Sequence, residues 1–202
     1  MAEIGIINCG MGNLTSVKNA FNHAGIACDL IEDACDVSRY KKIVLPGVGA
    51  FRSMMEKLNE KGFSTEIKEH IKRDKPYMGI CLGMQVLFES STEFETTSGL
   101  CELHGTVQRL PGGSNPVPNV GWWDVGGDYD LFSQELSDLD TFYFVHSYHC
   151  IPSKNYSALT IDFNDTTIVA AIRKNNIFAY QFHPEKSQNS GKKLLKSFAE
   201  LA

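Results

Sequence analysis

The chain has 202 residues, 43% of them hydrophobic and 21% charged, with a formal net charge of −5. This balance suits one globular unit, residues 1–202, with a sizeable core, and excludes a disordered tail. The acidic charge leaves no electrostatic footprint for nucleic acid, and no apolar run approaches membrane-spanning length.

The opening MAEIGIINCG has no basic n-region and no small-residue cleavage site, so a cytoplasmic location is the expectation. Ile4–Ile7 reads as a strand. Leu14, Val17, Phe21 and Ala24 then share one helical face. Cys28–Ile31 and Lys42–Leu45 read as a second and a third strand. Residues 50–73 have helical character, with a break near Gly62. Tyr77–Ile80 is another strand, and Met84–Phe88 opens another helix. Strand alternating with helix at this spacing predicts an α/β fold: a three-layer sandwich with a mixed, mostly parallel central sheet.

The second half changes grammar. Thr106–Leu110, Thr141–Cys150, Ser157–Asp162, Ile168–Lys174 and Ile177–Phe182 read as strands of an antiparallel meander. The Gly- and Pro-rich stretch 111–130, with Trp122 and Trp123, is expected to be an ordered surface loop and a contact region. A final helix, 190–201, places Leu194, Leu195, Phe198 and Leu201 along one stripe.

Six cysteines, at 9, 28, 35, 81, 101 and 150, show no CxxC spacing, so neither a metal nor a cofactor is expected. Only Cys81 has the setting of a nucleophile. Gly79-Ile80-Cys81-Leu82-Gly83 has the form G-x-C-x-G between a predicted strand and a predicted helix, the pattern of a strained elbow that exposes a nucleophile above a sheet. The helix after it is expected to favour thiolate, and the Leu82 N–H is placed to receive an oxyanion. A buried structural cysteine is the alternative. A thiol nucleophile needs a base, and Phe182-His183-Pro184-Glu185 follows a predicted strand end, with Glu185 placed to orient the imidazole. Alone, this second motif is also explained by a surface turn. Pro46-Gly47-Val48-Gly49 follows a strand and is a natural source of a second oxyanion-hole N–H, from Val48. His146 and His149, three apart on one predicted strand, point to opposite faces, which argues against a metal pair. Cys9 and Cys150 read as packing residues.

Together, Pro46-Gly47-Val48-Gly49, Cys81-Leu82-Gly83-Met84-Gln85 and Phe182-His183-Pro184-Glu185 resemble the class I, or triad, glutamine amidotransferases over nearly the full chain. Within that family, Gly10-Met11-Gly12-Asn13-Leu14, Phe144-Val145-His146-Ser147-Tyr148 and His183-Pro184-Glu185-Lys186-Ser187 resemble the glutaminase subunit of imidazole glycerol phosphate synthase. The resemblance implies that glutamine is the substrate. Cys81 would be the nucleophile, His183 the general base and acid, and Glu185 its orienting partner. It further implies that Gly49, Gln85, Glu93, Ser147 and Tyr148 bind glutamine. Asn13, Trp122 and Lys186 would face a cyclase-type (β/α)8-barrel synthase subunit in a heterodimer, with Trp123 on the same face. The free chain is expected to hydrolyse glutamine slowly.

Two segments depart from the subunit pattern. Asn8-Cys9 stands where Asp-Tyr is usual, and Val120-Gly121-Trp122-Trp123 where Met-Gly-Trp-Asn is usual. Both are expected on the side that meets the partner. These departures leave the glutaminase reading intact and bear on the partner: histidine biosynthesis is the leading pathway, and a paralogue that feeds amidination of a nucleotide-activated surface sugar is the alternative. A cysteine peptidase or chaperone-like hydrolase on a similar fold, and a non-catalytic regulatory subunit, are the rivals of other classes.

Overall fold

The computed structural model describes residues 2–201. The first strands are short and mostly apolar, with Asp29 and Lys42 the charged exceptions, which suits a parallel sheet covered on both faces. Four of them, β1 (Ile4–Ile7), β2 (Cys28–Ile31), β3 (Lys42–Gly47) and β4 (Tyr77–Cys81), pair in parallel in the order β2-β1-β3-β4. The helices between them are α1 (Leu14–His23), α2 (Phe51–Glu60) and α3 (Phe63–Lys72). Asn13 starts α1 by accepting the Ser16 N–H, an N-cap that satisfies one of the free donors of the first turn. Gly62 separates α2 from α3 at φ 77°, a left-handed geometry that glycine adopts without a Cβ clash.

After β4 comes a single helical turn, α4 (Leu82–Gln85), which ends where Met84–Phe88 is expected to open a longer helix. The chain is diverted there because the carbonyls of Val86, Leu87 and Phe88 accept N–H groups from Leu100, Glu102, Leu103 and Cys101. Two short strands follow, β5 (Ser90–Ser91) and β6 (Thr97–Ser98), then β7 (Gly105–Arg109).

The stretch 111–130 is not a loop. It contains β8 (Asn119–Asp124) and the two-residue β9 (Gly126–Gly127), so both tryptophans lie on a strand. The segment Thr141–Cys150 is not one strand either. It breaks at Ser147 into β10 (Thr141–His146), paired with β8, and β11 (Tyr148–Pro152), paired with β7 in a separate sheet. His146 and His149 therefore belong to different strands.

β12 (Ser157–Phe163), β13 (Thr166–Lys174) and β14 (Ile177–Tyr180) form the predicted antiparallel run, but β14 then joins β4 in parallel. Among the described residues, eight strands make one mixed sheet in the order β2-β1-β3-β4-β14-β13-β12-β9. The helix α5 (Gln188–Glu200) closes the chain, burying Leu194, Leu195 and Phe198.

Period-two alternation divides the core between the two faces of this sheet. Val44, Met78, Ile80, Phe178 and Tyr180 pack with α1 and α5 residues on one side. Ile43, Leu45, Tyr77, Ile177 and Ala179 pack with α2 and α3 residues on the other. Three adjacent parallel strands, β3, β4 and β14, end together, with Gly47 opposite Cys81 and Ile80 opposite Tyr180. This carboxyl edge is where open α/β sheets place ligands. Among the described residues, no helix is long and apolar enough to cross a membrane.

Candidate active site

Cys81 ends the central strand at φ 55° and ψ −108°. A non-glycine residue held there carries backbone strain of order 1–3 kcal/mol, which persists only where neighbours over-determine it. The neighbours here are glycines packed against backbone. A Cβ on Gly83 would stand 1.8 Å from the Leu45 carbonyl oxygen, and one on Gly79 would stand 2.5 Å from the Gly83 oxygen. The buried Tyr77 hydroxyl donates to that Gly83 oxygen at 2.7 Å. The strand, the elbow and α4 are thus locked together from beneath. α4 is one turn long, so a long helix dipole does not act on the sulfur. The local contribution is the set of first-turn N–H groups, beginning with Leu82, that have no partner within the helix.

His183 follows β14, the parallel neighbour of β4. Strand alternation sends Phe182 into an aromatic cluster, stacked on Phe142 with ring centroids 4.1 Å apart, and turns Gln181 and His183 the other way. The His183 imidazole Nδ1 lies 2.8 Å from Glu185 Oε1, both side chains being buried. Its Nε2 has no hydrogen-bond partner among the described residues. Burial alone would push this histidine down. The Cys81 sulfur and then the Glu185 carboxylate act the other way and prevail, raising it from 6.5 to about 10. The turn is fixed by main-chain contacts. The His183 N–H donates to Tyr143 O at 2.9 Å, and Ser187 Oγ donates to His183 O at 2.7 Å while accepting the Tyr143 N–H at 3.0 Å.

A pocket of about 290 Å³ opens beside Cys81. Val48, Gly49, Leu82, Gln85, Glu93, Ser147 and Tyr148 line it with Cys81, so the residues expected to bind substrate and oxyanion converge on one cavity. Gly49 has φ +106°, which only glycine adopts freely. Glu93 is tied to the backbone: its Oε2 accepts the Phe51 N–H at 2.7 Å and so caps α2, directly after the Pro46–Gly49 segment. Gln85 is buried, and its Nε2 donates to Tyr148 O at 2.9 Å and to Gln181 Oε1 at 3.0 Å.

His146 also lines the pocket. Its Nε2 meets Asn119 Nδ2 at 3.1 Å and its Nδ1 meets Tyr148 O at 2.9 Å. Burial pushes it down to about 4, so it is neutral near pH 7. Cys150 is buried, and burial followed by the nearby Cys81 holds its thiol well above the usual range. Cys9 is fully buried with its sulfur 3.5 Å from Met54 Sδ. It lies in the core rather than on the expected partner side.

A second surface adjoins the site. Trp122 is 46% exposed and meets Tyr143 edge-on, at a centroid distance of 5.9 Å. Lys186 Nζ sits 5.6 Å over the same Tyr143 ring. Trp123 points the other way, packing on Phe163 and donating to Asn119 Oδ1 at 2.8 Å. Only one of the two tryptophans is therefore available at this surface. The 3₁₀ turn Pro184–Lys186 packs against α1, whose N-cap is Asn13. Two residues of the site were not read from sequence. Tyr143 shows no motif of its own. Gln181 could have been found from its position two residues before His183, which puts both on one face of an extended segment.

The family model for class-I glutamine amidotransferases matches residues 5–201. The imidazole glycerol phosphate synthase subunit HisH of Chlorobaculum tepidum is 43% identical, covering 97% of this chain and 98% of the relative. The subunit of the same name from Caldanaerobacter subterraneus subsp. tengcongensis is 42% identical, with 98% of each chain covered. A solved structure titled PurLQS from Thermotoga maritima superposes with a TM-score of 0.76 at 18% identity, covering 98% of both chains, a likeness of fold. The chain belongs to the class-I glutamine amidotransferase family.

Proposed function

We propose that this chain is the glutaminase subunit of an imidazole glycerol phosphate synthase, supplying ammonia for histidine biosynthesis. Cys81 attacks the side-chain amide carbon of glutamine. The oxyanion is received by the N–H groups of Leu82 and, after reorientation of its peptide, Val48. His183 takes the thiol proton and gives it to the departing ammonia. The glutamyl thioester is then hydrolysed by water, with His183 as base. Glu185 holds the imidazole tautomer that presents Nε2 to the sulfur. Gly49, Gln85, Glu93, Ser147 and Tyr148 hold the amino-acid head of the substrate.

The observation that carries this reading is the convergence of a strained Cys81, the buried His183–Glu185 pair and a cavity of amino-acid size on one sheet edge. The partner is a cyclase-type (β/α)8 barrel, seated on the Trp122–Tyr143–Lys186 surface with Asn13 alongside. Both main-chain groups of Tyr143 hold the turn that carries His183. A barrel pressing on Tyr143 therefore acts on the base without touching glutamine.

Glutamate release from glutamine tests the reading, measured with the chain alone and with a purified histidine-pathway cyclase plus its ribonucleotide ligand. Slow release alone and strong stimulation by the pair are expected. Rapid turnover by the free chain would remove the coupling role, and absence of stimulation would remove the pathway.

A further inference from the structure

We infer that Gln181 is the hydrogen-bond donor that steadies the Cys81 sulfur, its amide oriented by a chain of hydrogen bonds that starts at the Tyr148 carbonyl. The inference rests on the proposed role of Cys81 as nucleophile and adds a group to it.

Gln181 is fully buried, so each polar atom of its amide needs a partner. The hydrogen-bonding inventory leaves one consistent direction. Tyr148 O only accepts, so Gln85 must present its NH2 there, at 2.9 Å. The second hydrogen of that NH2 points to Gln181 at 3.0 Å and requires an acceptor, which sets Gln181 Oε1 toward Gln85. Gln181 Nε2 is then turned to Cys81 Sγ, at 3.8 Å. A flipped amide would set two NH2 groups against each other and a carbonyl against the sulfur. The main chain thus holds Gln181 from both sides, since its own N–H donates to Ala170 O at 2.8 Å.

Chemistry gives the direction of the effect. An N–H donor stabilises a thiolate more than a thiol or a thioester sulfur, because a hydrogen bond to an ionised acceptor is the stronger one. His183 exchanges its proton during the cycle, whereas an amide does not titrate. Gln181 therefore provides a constant donor while His183 is occupied with the leaving ammonia or the incoming water. It also ties Tyr148, on the pocket wall, to the reacting atom, so substrate contact at β11 reaches the sulfur through two amides.

The test separates this inference from the glutaminase reading by using a reagent that needs no glutamine. Cys81 alkylation by iodoacetamide is followed by mass spectrometry across pH in the full chain, in Gln181→Met and in Gln181→Glu. Gln181→Met keeps the length and removes the donor. Gln181→Glu keeps an acceptor for Gln85 and sets a carboxylate beside the sulfur. We expect Gln181→Met to slow alkylation near pH 7 by about tenfold, the scale of one hydrogen bond to a charged group, with a smaller deficit at high pH. Gln181→Glu should slow it further, while thermal melting confirms folded chains. Alkylation within twofold of the parent in either folded variant would overturn the inference. Full-rate alkylation with lost glutamine hydrolysis would do so too, because Gln181 would then be only a support for Gln85.

Discussion

The Cys81 elbow and the β8–β10 ribbon lie beside one pocket and are built in opposite ways. The elbow is held by backbone. Gly79 and Gly83 leave no room for a methyl group, and Tyr77 ties the first helical turn from below. The ribbon is one-sided: Phe142 and Phe144 face the core, while Val120 and Trp122 are exposed and Lys186 rests on Tyr143. A strained nucleophile requires a support that cannot relax. A surface meant for another protein keeps apolar side chains in water until the partner covers them. The elbow therefore reports its mutations in chemistry and stability, and the ribbon should report them in coupling.

The largest effect expected is on chemistry at the elbow. Cys81→Ala should lower glutamine hydrolysis by roughly 10³-fold or more while leaving the melting temperature near that of the parent. Glu185→Gln keeps the shape of the buried pair and removes its charge. It should lower kcat by roughly 10²–10³-fold, since the imidazolium formed during the cycle loses its partner. A steady-state assay of glutamate release checks both.

Stability comes next. Gly83→Ala places a methyl group on the Leu45 carbonyl and should cost about 3 kcal/mol or more in denaturant titration, where Val120→Ala on the ribbon should cost under about 0.5 kcal/mol.

A smaller effect is read in pH. His70 and His146 are both lowered from 6.5 to about 4, chiefly by burial. The unfolded chain binds more protons between those values, so stability is full above pH 6.5 and falls as pH drops toward 4. His183 is shifted upward, so its contribution is constant below 6.5 and does not mask this window. Moving from pH 7 to 5 should cost about 1–2 kcal/mol per lowered histidine. His70→Gln, which keeps a donor for Pro76 O, should flatten the slope.

The smallest effect on the free chain is expected on the ribbon. Trp122→Ala should cost about 0.5–1 kcal/mol in stability, the scale of one aromatic contact. It should still weaken binding or stimulation by a cyclase partner by about 2 kcal/mol or more, as a buried anchor would. A fall in free-chain glutaminase equal to the fall in coupled activity would break the distinction between the two regions.

The parallel half was legible in sequence because its strands are short, mostly apolar runs and each helix repeats at 3.6 residues. Gly79, Cys81 and Gly83 were legible as an elbow because sterics restrict that geometry to few residue types. The ribbon was not. Gly112, Gly113 and Pro116 signal turns, and the alternation in Val120-Gly121-Trp122-Trp123 is hidden because Trp123 is largely covered by Phe163 while Trp122 lies open. The break at Ser147 was also hidden, since Thr141–Cys150 contains no glycine or proline to punctuate it and its division depends on which sheet each half joins. The length of α4 is decided by the Leu100–Leu103 segment, distant pairing that no local pattern carries. Gln181 stayed hidden for a related reason: a buried amide has no signature until its partners, Gln85 and Tyr148, are brought to it by the fold.

The most direct test of the central claim is active-site labelling with a glutamine-mimicking electrophile, located by peptide mapping. One adduct on Cys81, slowed by glutamine and lost in Cys81→Ala together with hydrolysis, is the predicted result. An adduct on another cysteine, or hydrolysis that survives in Cys81→Ala, would contradict it.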